Sequence, residues 1–114
     1  MSFDEQIDLF KAIGHPVRFR VLQSLSRSEK SVGEIEKDTK VSQPGLSQQL
    51  AILRKAELVT TRREAKMVFY SLEREKIDQI ADSLVKLVGA PPGLRDNHKK
   101  PTPGAANFAR VMRD

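Results

Sequence analysis

Apolar residues along this chain fall into helix-spaced groups interrupted once by an alternating stretch. Phe3, Ile7 and Phe10, with Leu9 and Ile13 beside them, recur at the three- and four-residue spacing that gathers side chains on one helical face. That spacing predicts a helix over residues 4–13 with Gly14 as its stop. His15-Pro16 opens a second helix, because proline at the first position gives up an N–H that had no partner anyway. Val17, Val21, Leu22 and Leu25 share one side of it, up to the polar cluster Ser26-Arg27-Ser28, and should be largely core.

Two shorter helices follow. Ser31-Val32-Gly33-Glu34 has the serine and glutamate spacing of a capping box, in which each side chain satisfies the other residue's orphan backbone donor, so a third helix starts at Ser31 and runs to Thr39-Lys40. In Val41-Ser42-Gln43-Pro44, Ser42 is placed to cap a fourth helix with Pro44 in its first turn. Leu46, Leu50 and Leu53 then line the inward face of that helix. At about 100° per residue the opposite arc holds Pro44, Ser47, Gln48 and Ala51, with Gln43 exposed at the start.

From Val59 the period changes. β-Branched and aromatic residues flank Glu64-Ala65-Lys66, which predicts a hairpin with strands at 59–63 and 67–72, although the strong Asn-Gly turn pair is missing. A last helix over 74–88 carries Ile77, Ile80, Ala81, Leu84, Leu87 and Val88 along one stripe that needs a partner surface. Gly89-Ala90-Pro91-Pro92-Gly93 ends it, and residues 91–103 hold four of the six prolines. The expected organisation is one domain over 1–89 and a basic, proline-rich, flexible tail over 90–114, where Phe108, Val111 and Met112 have the spacing of a short helical turn. The expected fold is mainly α with a small β-hairpin: four helices, two strands and a fifth helix.

Composition narrows the function classes. The chain has 114 residues, no tryptophan and few aromatics, so buried area is short for a monomer and pairing of copies is expected. Without cysteine there are no disulfides, thiolate ligands or thiol switches. The amino terminus has no basic segment leading into an apolar run, and no stretch approaches the roughly 20 apolar residues of a membrane span, so a soluble cytoplasmic protein is expected. The net charge of +5 is unevenly spread: residues 1–41 carry seven charges of each sign, 42–74 six positive and three negative, and 90–114 five positive and two negative. The excess lies on the fourth helix with the hairpin, and on the tail, which suits a polyanionic partner.

The chemistry on the fourth helix fits double-stranded DNA. Gln43, Pro44, Ser47, Gln48 and Ala51 are small or amide-bearing, suited to close approach and to hydrogen bonds with base edges in a major groove; the plain alternative is a polar solvated face, and the lack of acidic residues from 42 to 56 favours DNA. Arg54 and Lys55, at the far end, either contact phosphates or offset the carbonyl end of the helix dipole. Arg62, Arg63 and Lys66 flank the hairpin turn, where cations serve either the DNA backbone and minor groove or protection of an exposed strand edge.

The run Ser31-Val32-Gly33-Glu34-Ile35, Ser42-Gln43-Pro44-Gly45-Leu46-Ser47-Gln48-Gln49-Leu50, Leu53-Arg54, Leu58-Val59, Arg62-Arg63-Glu64-Ala65 and Val68-Phe69-Tyr70-Ser71-Leu72 resembles the ArsR/SmtB family of winged helix-turn-helix transcriptional regulators, and most of all its HlyU-like branch. The resemblance covers about residues 5–89. It implies a homodimer joined through the first and last helices, so that Phe3, Ile7, Phe10, Ile77, Ile80, Ala81, Leu84, Leu87 and Val88 form the interface. It carries base reading onto Ser42, Gln43, Ser47 and Gln48 and wing contacts onto Arg62, Arg63 and Lys66. Gln49 departs from the histidine of many relatives, and Pro44-Gly45 is an unusual helix start. The family's metal sensors use cysteines on the third helix or a His/Asp/Glu set on the last, and its thiol switches pair two cysteines. The cysteines are missing here and the last helix has no histidine, while its Asp78 and Asp82, spaced by four so that they could in principle share a hard cation, read as a solvated face; no metal site, no cofactor and no thiol inducer is implied.

An enzyme is a poor fit: there is no cysteine nucleophile, no phosphate-binding glycine loop, and the only histidines, His15 and His98, are far apart. His15 reads as a helix-start residue. The expected function is a sequence-specific, homodimeric repressor on an imperfect palindrome in promoter DNA. The alternative is an activator or anti-silencer that displaces another DNA-bound protein, and behind both stands a protein-interaction or RNA-binding winged helix.

Overall fold

The computed structural model describes residues 1–89, and the proline-rich segment 90–114 lies outside the described residues. Five helices and three short strands follow in the order α1 (Phe3–Ile13), α2 (Pro16–Arg27), β1 (Lys30–Ser31), α3 (Val32–Thr39), α4 (Gly45–Lys55), β2 (Val59–Glu64), β3 (Met67–Leu72) and α5 (Arg74–Val88). Met1–Ile80 form one compact unit, and residues 81–89 belong to a second.

Local chemistry explains most helix starts. Ser2 and Glu5 form a capping box on α1, a signal of the same spacing as the one read at Ser31, and it extends the helix one residue ahead of the expected start. His15 caps α2: its Nδ1 accepts the Val17 N–H at 3.2 Å, with Pro16 in the first turn. The helix-start role expected for His15 is thus the one it has.

The sheet is antiparallel in the order β1-β3-β2. β2 and β3 make the expected hairpin, with Val59 opposite Leu72 and Glu64 opposite Met67, so the turn is only Ala65-Lys66. Ala65 has φ +55°, a left-handed conformation that usually favours glycine or asparagine. The third strand was not foreseen. Lys30 pairs with Tyr70 and Ser31 with Phe69, and two residues are too few to show a period.

The core of the first unit is leucine-rich. Val21 and Leu25 of α2, Ile35 of α3, Leu46, Leu50 and Leu53 of α4, and Leu58 and Val59 entering the hairpin are all buried. Burying each such side chain contributes about 1.5–3 kcal/mol, and together they lock α4 against α2 and the sheet. The α5 stripe divides. Ile80, expected at a dimer interface, is 5% exposed in the protomer's own core, and Ile77 packs against that core. In the second unit Leu84, Leu87 and Val88 are exposed, and Lys86 Nζ lies 3.1 Å from the Asp82 carboxylate.

Candidate nucleic-acid interface

The helix-turn-helix begins where the sequence places it. Ser31 N–H donates to Glu34 Oε1 at 2.8 Å, and Glu34 N–H donates to Ser31 Oγ at 3.3 Å. The backbone bond from Ser31, and then its hydroxyl, hold the Glu34 carboxyl below the ordinary carboxylate value. At the other end of α3, buried Thr39 donates its hydroxyl to the Ile35 carbonyl at 2.7 Å and accepts the Val41 N–H at 3.3 Å. Lys40 turns left-handed at φ +61°, and its N–H donates to the Glu36 carbonyl at 2.8 Å. Thr39 therefore fixes the exit direction of the chain into the turn. Sequence reasoning missed it, because a threonine in a last helical turn is as often a plain surface residue.

The start of α4 differs from the expectation. Ser42 does not cap the helix, which begins at Gly45 with Pro44 at the cap position. Pro44 stands there with no side-chain cap bond of its own, and Gly45 is the first helical residue. Gln43 takes over the capping instead. Its Oε1 accepts the Ser47 N–H at 3.1 Å and also the Ser47 hydroxyl. The Gln43 oxygen is thereby committed to the helix start, and its amide NH₂ is the group left to face outward.

Along α4 the two faces separate cleanly. Leu46, Leu50 and Leu53 are each at most 1% exposed, whereas Ser42, Gln43, Pro44, Ser47, Gln48 and Ala51 are all exposed. Gln49 sits on the flank, half-buried, and its Oε1 accepts from Arg18 Nη1 at 2.8 Å. The same guanidinium donates through Nε to the Ala12 carbonyl at 2.6 Å. Gln49 is thus tied to α2 and the end of α1, a role no local pattern in α4 discloses. Arg54 and Lys55 are exposed at the carboxyl end. There Glu57, at φ +61°, donates to the Arg54 carbonyl and Leu58 to the Leu53 carbonyl, each at 3.0 Å, which is a Schellman stop that turns the chain into β2.

In the wing, Arg63 and Lys66 are exposed, and neither forms an ion pair among the described residues. Arg62 is held differently. Its Nε lies 2.8 Å and its Nη2 2.7 Å from the two Glu29 oxygens, its Nη1 2.7 Å from Glu64, and its Cζ 4.7 Å from the centre of the Phe69 ring. Hydrogen bonding to Glu29 and then Glu64 raises the Arg62 pKa, and Arg62 in turn lowers that of Glu29. Arg62 is therefore a brace between β2 and the loop before β1, and it covers the aromatic face that RNA stacking would need.

The residues expected at a dimer interface have different surroundings. Phe3 is 73% exposed on α1, Ile7 and Phe10 are half-buried, and on α5 Ala81 is half-buried while Leu84, Leu87 and Val88 are 50%, 81% and 72% exposed.

Residues 15–61 match the model of the family described as bacterial regulatory protein, arsR family. The chain is 43% identical over 83 residues to the biofilm growth-associated repressor of Agrobacterium fabrum, covering 73% of this chain and 71% of the relative. It is 40% identical over 79 residues to the transcriptional activator HlyU of Vibrio cholerae, covering 69% of this chain and 73% of the relative. Among solved structures, the transcriptional repressor BigR from Xylella fastidiosa superposes with a TM-score of 0.63 at 40% identity, over 74% of this chain and 86% of the other.

Proposed function

This chain belongs to the arsR family of bacterial regulatory proteins and is a DNA-binding transcription regulator, not an enzyme; from that premise we propose that it is a homodimeric repressor of an imperfect promoter palindrome. Each subunit places the outward arc of α4 in a major groove, with Gln48, Ser47, Ser42 and the free amide of Gln43 toward base edges and Pro44 allowing close approach. Arg63, Lys66 and Arg54 take phosphates on either side, while Arg62 holds the wing in shape. Phe3 on α1 and Leu84, Leu87 and Val88 on α5 bury against the second copy. The protein acts in the cytoplasm, on chromosomal DNA, without a metal or thiol inducer.

The observation that carries this reading is the split of α4. Its leucine seam is buried while the arc of Ser47, Gln48 and Ala51 is exposed, with no carboxylate from 42 to 56 to repel phosphate. Repression is favoured because occupation of a promoter suffices for it, and because the relative from Agrobacterium fabrum is a repressor. Similarity to the activator HlyU supports the second reading, in which the same contacts displace another DNA-bound protein.

The test is a binding titration against the genomic fragments that the protein retains, beside a random duplex and single-stranded RNA. Gln48→Ala is expected to cost about 1–3 kcal/mol on the preferred site and little on random DNA. Equal losses on both, or preference for RNA, would overturn the reading role of α4. Transcription from the same promoters with and without the protein decides between repression and activation.

A further inference from the structure

A cleft of about 350 Å³ opens between α2 and the carboxyl end of α3, lined by Arg20, Gln23, Arg27, Asp38, Thr39 and Lys40. Arg20, Gln23 and Arg27 are spaced by three and four residues and so share one face of α2. The cleft holds three cations against one carboxylate, and that carboxylate is already paired, Asp38 with Arg27. Arg20 and Lys40 have no ion pair among the described residues. Unpaired cations on a concave wall concentrate a positive field, and a guanidinium fork beside an ammonium and an amide is a donor set for phosphate oxygens.

Position in the fold says which phosphate. Lys40 precedes Ser42 by two residues, at most about 7 Å of chain, so the turn that carries the exposed start of α4 also carries one rim of the cleft. Thr39 holds that rim in place through its bonds to Ile35 and Val41. We propose that this cleft takes a backbone phosphate of DNA beside the groove entered by α4, adding Arg20 and Lys40 to the contacts of helix and wing. The proposal rests on α4 being the reading helix.

The experiment is the salt dependence of binding to a random-sequence duplex several helical turns long, for the full-length protein and for Arg20→Gln, Lys40→Gln and the double variant. Each phosphate contact contributes about 0.9 to the slope of log affinity against log salt, so with one cleft phosphate in each subunit of a dimer the double variant should lose about 1.8, and each single variant only part of that because the other cation still faces the phosphate. Arg20→Lys should keep the slope, and the preference for specific over random DNA should stay as in the wild type. An unchanged slope in the singles and the double, with the wild type binding normally, overturns this proposal and leaves the reading role of α4 standing. Saturable binding of inorganic phosphate that the double variant loses, with an unchanged DNA slope, assigns the cleft to a small anion and also overturns it. A wild type that binds no duplex sinks both readings together.

Discussion

Arg18 on α2 donates to Gln49 on α4 at 2.8 Å while its Nε holds the Ala12 carbonyl at the end of α1. One guanidinium thus fixes how α4 is set against two other helices. A half-buried charged hydrogen bond contributes more than a neutral one, and removing the donor strands an acceptor at each end. Arg18→Ala is expected to destabilise the fold by about 1–3 kcal/mol in urea unfolding, and Gln49→Ala by less, because the Ala12 bond survives. On DNA, Arg18→Lys should reduce the preference for specific over random sequence, since lysine cannot span both acceptors. Unchanged stability in Arg18→Ala would show that the link holds nothing in place.

Arg62 and Arg63 are neighbours in β2, but Arg62 is paired whereas Arg63 has no ion pair among the described residues. If Arg62 is a brace and Arg63 a phosphate contact, their neutral variants must differ in kind. Arg63→Gln should lower the salt slope by about 0.9 per subunit, about 1.8 for a dimer. Arg62→Gln should leave the slope near the wild-type value while weakening binding to all duplexes, and Glu29→Gln should copy that effect. A rise in affinity for Glu29→Gln would instead mean that Glu29 holds back a DNA-binding arginine.

The contrast between these arginines marks the limit of what the chain discloses on its own. Helices α2, α3 and α5, the hairpin and the leucine seam of α4 were legible, because a periodic apolar face and a capping residue act over a few positions. The start of α4 differs from the expectation: Ser42 looks like a cap, but the side chain that reaches the first turn of a helix beginning at Gly45 is that of Gln43. Arg18 with Gln49 and Arg62 with Glu29 join residues about thirty positions apart, and such pairings depend on tertiary packing. For the same reason Ile80 read as interface when it is core: a stripe along a helix does not say where one partner surface ends and another begins.

Acid should weaken the fold through its caps. The Glu34 carboxyl is held below its ordinary value of 4.5 by Ser31, Glu5 below the same value by Ser2, and Glu29 by Arg62. A depressed folded pKa stabilises in full above the unfolded value, and that contribution is lost as pH falls through the folded one. The urea midpoint should therefore be flat through neutrality and decline below about pH 4.5. Glu34→Gln should make the decline shallower; an identical pH profile in that variant would remove Glu34 from the cause.

Leu84, Leu87 and Val88 are the apolar residues of α5 that lie open, and they provide the test of the dimer. Because Leu87 is 81% exposed, Leu87→Asp should change the stability of the isolated protomer by no more than about 0.5 kcal/mol. In a twofold interface the same substitution acts twice: about 1.5–3 kcal/mol of leucine burial is lost per copy, roughly 3–6 kcal/mol per dimer, and two carboxylates are added. Sedimentation should then find the wild type dimeric and the variant monomeric at the same concentration. Loss of pairing should also remove the gain from binding two half-sites at once, so affinity for a full palindrome should fall towards that for a single half-site. A Leu87→Asp protein that stays dimeric would move the interface off this end of α5, and a monomeric wild type would leave palindrome binding without its physical basis.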